Sequence, residues 1–175
     1  MAAVIGAAVG AVGGLGGGWL SVMAQSRHHR EQRRAERERW RDEMRRDAYT
    51  AFLAATRQLN AALWKAADQL SARAATPAEW QAALSETHDA WARFSTASSA
   101  VAVVGPAAAA VTAADLHRAM REWEMIGVKW IRAAIRDGEP HVDDHRSRFA
   151  ATASAKQIPL ASFQQAAREA LQTEH

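Results

Sequence analysis

The fold of this chain is decided by residues 40–70, which read WRDEMRRDAYTAFLAATRQLNAALWKAADQL. Apolar and small residues recur there at steps of three and four, so they lie along one face of a helix. Their order repeats after eleven residues, which predicts a nearly straight helix rather than a heptad coiled coil. We expect one long helix whose buried residues are Trp40, Met44, Ala48, Ala51, Ala55, Leu59, Ala62, Ala66 and Leu70.

A second helix is marked at both of its ends. Residues 76–79, Thr-Pro-Ala-Glu, form a capping box with proline at the first helical position. Gly105 and Pro106 then stop the apolar pattern that follows the box. The sequence therefore predicts a helix that starts at Pro77 and ends near Gly105.

Two more helices follow. The third covers about 106–137 and has Gly138 as its carboxyl cap, and a short last helix covers about 160–173, after Ile158-Pro159. No stretch of six or more residues alternates as a strand does. The chain is therefore predicted to be all-α, with an antiparallel up-down-up bundle whose groove the last helix closes.

The beginning of the chain has a different character. Residues 1–26 carry no charged side chain, and a helix of this length spans a bilayer core of about 30 Å. Small residues share one helix face, and the spacing of Gly6, Gly10, Gly13 and Gly17 is typical of close helix–helix packing in membranes. We expect a single transmembrane anchor that associates with its own copies into a homo-oligomer.

Arginine dominates the next segment. Residues 27–46 hold nine arginines against five acids, a net charge of +4, so the rest of the chain sums to −1. Such a cluster stays on the cytoplasmic side and attracts anionic lipid headgroups, which Arg27, Arg30, Arg33, Arg34 and Arg37 are placed to contact. The predicted topology is a plasma-membrane protein with its amino terminus outside and its carboxyl-terminal domain in the cytoplasm.

One alternative location stays open. Residues 22–24, Val-Met-Ala, offer small residues where a signal peptidase cleaves, which would make this an exported protein. The lack of lysine or arginine before the apolar stretch, and the arginines after it, disfavour export.

The predicted layout is an anchor at 1–26, an Arg/Glu-rich juxtamembrane helix at 27–46 that continues the anchor as a stalk, and a cytoplasmic helical bundle at 47–175.

Catalytic and metal-binding motifs are nearly missing from the sequence. The chain has no cysteine, which excludes disulfides and thiol chemistry. The weak metal candidates are His141, Asp144 and His145, whose order is similar to the His-x-x-Glu-His motif of inverted zincin peptidases, with aspartate in place of the glutamate. An acidic first turn after Pro140 explains the aspartates equally well. We therefore predict a protein that is not an enzyme and has no cofactor.

The layout as a whole resembles a known group of chains. A Gly/Ala-rich anchor and an Arg/Glu stalk lead into residues 45–55, RRDAYTAFLAA, at the opening of a helical domain. This is similar to uncharacterised small membrane proteins of Streptomyces and related actinobacteria. The resemblance implies the architecture alone, and it assigns no functional residue.

The predicted function is a non-enzymatic, oligomeric membrane adaptor with an unknown cytoplasmic protein partner. A first alternative is a membrane-perturbing effector or an accessory protein of plasmid transfer and spread. A second is a nucleic-acid-binding protein that uses the arginine-rich stalk, which the absence of interleaved aromatics disfavours.

Overall fold

The computed structural model describes the backbone of residues 7–72 and 74–172, and the side chains of 33, 34, 36–72 and 74–172. The described chain is all-helical and contains no strand, which confirms the predicted fold class. Its helices are α1 (Ala7–Ser71), α2 (Pro77–Val104), α3 (Ala107–Asp137), α4 (Val142–Ala155) and α5 (Gln157–Gln172).

The chain divides into two compact units, residues 1–42 and 43–175. The first unit contains the amino-terminal part of α1. Its described arginines are all exposed to solvent, as a lipid-facing or solvated cluster requires: Arg33, Arg34, Arg37, Arg39 and Arg41. The second unit contains the remainder of α1 and all of α2 to α5, and it holds the hydrophobic core.

The side chains of the predicted membrane anchor lie outside the described part of the chain. Residues 1–6 lie outside it, and so do the side chains of 7–32 and 35. Among the residues that the structure does describe, no helix is both long enough and apolar enough to span a bilayer. The transmembrane helix of residues 1–26 stays a prediction.

The local signals at the start of α2 are confirmed. Glu79 N–H donates to the Thr76 hydroxyl at 3.4 Å, and Thr76 N–H donates to the Glu79 carboxylate at 2.7 Å. Proline occupies the first turn, where its missing N–H leaves no bond unmade. At the end of α3, Gly138 has the left-handed φ of +72° that a carboxyl cap favours.

The helices of the second unit run antiparallel in turn. Along α1 and α2 the contacts fall in opposite order, since Phe52 stacks on Phe94 while Lys65, further along α1, pairs with the earlier Glu86. The loop between α2 and α3 is only two residues long, at 105–106. α3 therefore returns along α2.

α4 and α5 together form a fourth arm. Phe149 of α4 packs edge-on against Trp64 of α1 at 5.3 Å between ring centroids, and Phe163 of α5 packs against Phe52, three turns earlier on α1, at 4.9 Å. The arm thus runs antiparallel to α1 along its length. The second unit is an up-down-up-down four-helix bundle. Its three long antiparallel helices and the packing of the last helix on them were predicted, whereas α4, which completes the fourth arm, was not.

Pro159 explains why this fourth arm is broken. Within a continuous helix, the ring of Pro159 would clash with the carbonyl of Ala155 and could not donate to it. α4 accordingly ends at Ala155, and α5 begins at Gln157, so that Pro159 lies in its first turn. The predicted break is present, but α5 starts three residues earlier than expected because a proline is tolerated there.

The core contact surface of α1 differs from the predicted stripe. Ala48, Ala55, Leu59, Ala62, Ala66 and Leu70 are buried as expected, but Trp40 is 65% exposed, Met44 is 39% exposed and Ala51 is exposed. Phe52 and Leu63, which that stripe leaves out, are as fully buried as the predicted Leu59. Each stabilises the fold by about 1.5–3 kcal/mol of apolar burial. The alanine spacing located the buried face except at Ala51, since alanine is tolerated at buried and exposed positions alike.

Gly127 of α3 marks a close approach of three helices. A methyl group placed on it would lie 2.9 Å from Leu63 Cδ2 on α1 and 3.3 Å from Phe149 Cε2 on α4. These separations are shorter than ordinary carbon–carbon contact. The absence of a side chain at Gly127 is therefore what lets α1 and α4 pack against α3 at this level.

We predict that Gly127→Leu destabilises the bundle by about 1–3 kcal/mol, because the added side chain overpacks this junction. Lys129→Leu, an exposed position two residues along α3, should change stability by less than about 0.5 kcal/mol. Urea unfolding followed by circular dichroism measures both. Equal stability of Gly127→Leu and the parent chain would contradict the close approach.

Candidate ligand-binding site

Lys156 occupies the break between α4 and α5. Its ammonium Nζ lies 3.6 Å from the ring centroid of Trp123 on α3, over the face of the indole, and donates to Asn60 Oδ1 on α1 at 2.5 Å. The break directs the side chain inward, toward α1 and α3. One cation is thus held between a neutral amide and an aromatic ring, and both interactions are attractive without neutralising it.

No carboxylate neutralises this ammonium. Lys156 forms no ion pair with any described acid, whereas Lys65 at the surface pairs with Glu86 at 2.7 Å. Burial removes water from the Lys156 ammonium and lowers its pKa from 10.5 to about 8. The group is half-buried and still positively charged at neutral pH, so an anion placed beside it gains an unopposed charge partner.

A pocket of about 370 Å³ opens beside Lys156. Its wall is part apolar and part amide or hydroxyl, and Lys156 is the one titratable group among the residues that line it. The lining residues are Asn60 and Trp64 of α1, Ala153 and Ser154 of α4, Lys156, and Gln157, Leu160, Ala161 and Gln164 of α5. We call this cavity the Lys156 pocket.

Trp64 gives the Lys156 pocket an aromatic wall. Its ring packs edge-on against Trp123 at 5.9 Å and against Phe149 at 5.3 Å, yet 41% of its surface stays exposed. Packing on two buried rings restrains the indole, since its neighbours are fixed in the core. The pocket therefore combines a fixed apolar surface, formed by Trp64, Ala153, Leu160 and Ala161, with a larger share of polar side chains.

A second cluster of charged groups lies on α3 and α2. The Glu124 side chain is almost fully buried and pairs with Arg121 at 3.1 Å. Burial raises the pKa of Glu124, while the positive charges of Arg121, His88 and Arg132 oppose that rise. Arg121 in turn lies over the Trp91 ring at 5.0 Å. The pairing positions Arg121 on Trp91, so a structural role accounts for the buried carboxylate.

The structure brings His117 into the same region. Its ring stacks on Phe94 of α2 at 5.5 Å between ring centroids and lies 5.0 Å from the Trp91 ring. Its Nε2 is 3.5 Å from the Ser95 hydroxyl. Burial and the nearby Arg121 lower the pKa of His117. His117 is thus part of the α2–α3 packing.

The weak metal candidates are not arranged as one helical motif. His141 is the residue before α4, with a left-handed φ of 42°, so it does not share a helix face with His145. It lies 3.3 Å from the Asp137 carboxylate, while the His145 ring stacks on Trp130 at 6.0 Å and Asp144 is exposed. In the described residues, no three histidine, aspartate or glutamate side chains are grouped so as to hold a metal ion.

The other predicted site residues are partly described. Arg33, Arg34 and Arg37 are exposed on the first unit. Arg27 and Arg30 belong to the part of α1 whose side chains lie outside the described residues. Of the glycines predicted to pack in the membrane, Gly6 lies outside the described residues, and Gly10, Gly13 and Gly17 belong to that same part of α1.

Sequence reasoning did not find the Lys156 pocket. Asn60 and Lys156 are 96 residues apart in the chain, and neither belongs to a recognisable motif. Two signals were present: the Ile158-Pro159 break, and a lysine in a chain with nineteen arginines and only three lysines. The tryptophans alone do not indicate a binding site, because the sequence does not show which polar groups converge on them. The fold brings Lys156 next to Trp64 and Trp123.

Comparison of the chain with protein-family models, with curated proteins and with solved structures finds no match in any of the three.

We predict that the stability of the bundle depends on the protonation of Lys156. Between pH 8 and 10.5 the folded state binds fewer protons at this amine than the unfolded state does, because only the folded pKa is lowered. Stability conferred by this group therefore rises with pH across that window. Urea unfolding of the parent chain and of Lys156→Met at pH 7, 8, 9 and 10 isolates the effect as a difference.

The difference in unfolding free energy between the two chains should shift in favour of the parent as the pH rises. Lys65→Met, measured at the same four pH values, is the control for the loss of an exposed lysine. A parent chain and a Lys156→Met variant that respond to pH in parallel would refute the lowered pKa.

Proposed function

We propose that this protein is a non-enzymatic, homo-oligomeric adaptor anchored in the plasma membrane. In this proposal residues 1–26 form the anchor, with the amino terminus outside, and the arginines that follow lie at the cytoplasmic lipid surface. Support comes from the uncharged length of residues 1–26 and from the exposure of Arg33, Arg34 and Arg37. The bundle of the second unit then presents its surfaces to the cytoplasm.

The observation that carries the oligomeric part of the proposal is an uncharged tip on the bundle. Residues 94–114, which form the end of α2, the loop and the start of α3, contain no charged side chain. Val103 is 83% exposed and Val111 is 60% exposed, and several alanines beside them are exposed as well. We call residues 100–111 the hairpin tip.

The hairpin tip lies beside the first residues of the second unit. Arg45, two residues into the second unit, donates from Nε to the Val104 carbonyl at 3.1 Å. A methyl group placed on Gly105 would lie 3.3 Å from the Tyr49 hydroxyl oxygen. The tip is thus fixed next to residues 45–49 rather than projecting freely.

A second copy of the chain is the occupant that fits this tip. In a symmetric dimer the same patch meets itself, so any charge near the axis would face its own copy and repel it. An uncharged patch of valine and alanine avoids that repulsion and permits close approach. Anchors inserted in one orientation also hold the copies at the same depth, which brings equivalent ends of the bundles together.

The absence of cysteine makes the proposal directly testable. Val103→Cys places a single cysteine in the full-length chain. We expect it to form a disulfide-linked dimer when native membranes are oxidised, because the two copies of residue 103 meet within the range of about 4–7 Å that a disulfide spans between Cα atoms. Ala78→Cys is the matched control. It is exposed on the same helix but roughly 37 Å away along α2 at 1.5 Å per residue, and it should stay monomeric.

The anchor can be tested in the same assay. Replacing Gly10 and Gly13 by leucine should reduce the Val103→Cys dimer severalfold, since the anchors then pack less closely. Val103→Glu should weaken oligomerisation, measured by chemical crosslinking, because it places like charges face to face. Equal dimer yields from Val103→Cys and Ala78→Cys would show random collision and would overturn the proposed interface.

A further inference from the structure

We propose that the Lys156 pocket binds a small monocarboxylate with an apolar or aromatic body. The inference rests on the geometry of one cavity in the second unit. It does not depend on whether the chain is anchored or oligomeric.

The charge of the pocket favours an anion. The Lys156 ammonium has three N–H donors, of which one is used by Asn60 Oδ1 and one points into the face of Trp123. The third donor is available to a ligand in the adjoining cavity. A carboxylate there accepts a charge-assisted hydrogen bond and restores the charge balance that the half-buried ammonium lacks.

The number of cations argues for a carboxylate rather than a phosphate. Lys156 is the only charged side chain that lines the pocket, and no arginine contributes the fork of donors that phosphate sites commonly use. A single ammonium matches a single negative charge. The amide side chains of Gln157 and Gln164 and the hydroxyl of Ser154 offer neutral hydrogen bonds around it.

The remaining wall selects the body of the ligand. Trp64, Leu160 and Ala161 supply an apolar surface, and the Trp64 indole is held by the buried rings beneath it. The volume of about 370 Å³ is near the lower end of the range of about 300–1,000 Å³ that ligand sites occupy. A compact acid such as an aryl acetate suits both the volume and the aromatic wall.

The test uses the full-length chain in lipid nanodiscs, titrated with phenylacetate at pH 7 by isothermal titration calorimetry. Phenylacetamide is the matched neutral probe, since it has nearly the same shape without the charge. We expect phenylacetate to bind at least tenfold more tightly than phenylacetamide. Equal affinities would show that Lys156 does not recognise the carboxylate and would overturn the proposal.

Variants assign the binding to this pocket. Lys156→Met should weaken phenylacetate binding at least tenfold, while Lys129→Met, which removes an exposed lysine from α3, should leave it unchanged. Ala161→Trp provides an independent route. Ala161 is exposed at the pocket mouth, so the added indole fills the cavity without altering the core, and binding should again fall at least tenfold.

Two further outcomes bear on the inference. Thermal unfolding of Lys156→Met and Ala161→Trp measures whether each variant is still folded. One variant that is folded and has lost phenylacetate binding is sufficient to assign the ligand to the Lys156 pocket. Phenylacetate affinity that survives in a folded variant would place the ligand elsewhere and refute the site. Displacement of phenylacetate by an equal concentration of inorganic phosphate would refute the preference for a carboxylate.

Discussion

The packing of α1 against α3 is the constraint on which the rest of this bundle depends. At Gly127 the missing side chain allows Leu63 of α1 and Phe149 of α4 to meet the α3 backbone. About three turns earlier on α1, Phe52 stacks on Phe94 of α2 and packs edge-on against Phe163 of α5. One helix therefore contacts every other helix of the second unit through a single buried face, and any shift of α1 alters all of these contacts together.

Local chemistry made much of the fold predictable, and long-range packing accounts for what was missed. The capping box at 76–79 and the glycine cap at 138 depend on neighbours within four residues, so the sequence shows them directly. The role of α4 was missed because its fourth-arm packing rests on only two buried residues, Phe149 and Ala153, in an otherwise polar segment. The predicted stripe of α1 was right at four of its five alanines, and Ala51 is exposed because alanine fits both a buried and an exposed position.

The Lys156 pocket shows why a site of this kind escapes motif searches. Its position follows from Pro159, which breaks the fourth arm and turns residue 156 inward, while its partners come from α1 and α3. The identity of the residue also matters, because arginine stays charged under all ordinary conditions, whereas a buried lysine can lose its proton. One of only three lysines in an arginine-rich chain, Lys156 acquires meaning only once the fold supplies Trp123 and Asn60.

The central position of α1 has a consequence for synthesis. α1 leaves the ribosome first, but the ring that covers Phe52 on one side, Phe163, follows 111 residues later. At 5–20 residues per second, translation of that interval takes roughly 5–20 s. During that time a helix with an uncovered stripe of Phe52, Leu59 and Leu63 waits for its last partner, so the nascent chain is most exposed to aggregation and chaperone capture just before the final helix emerges.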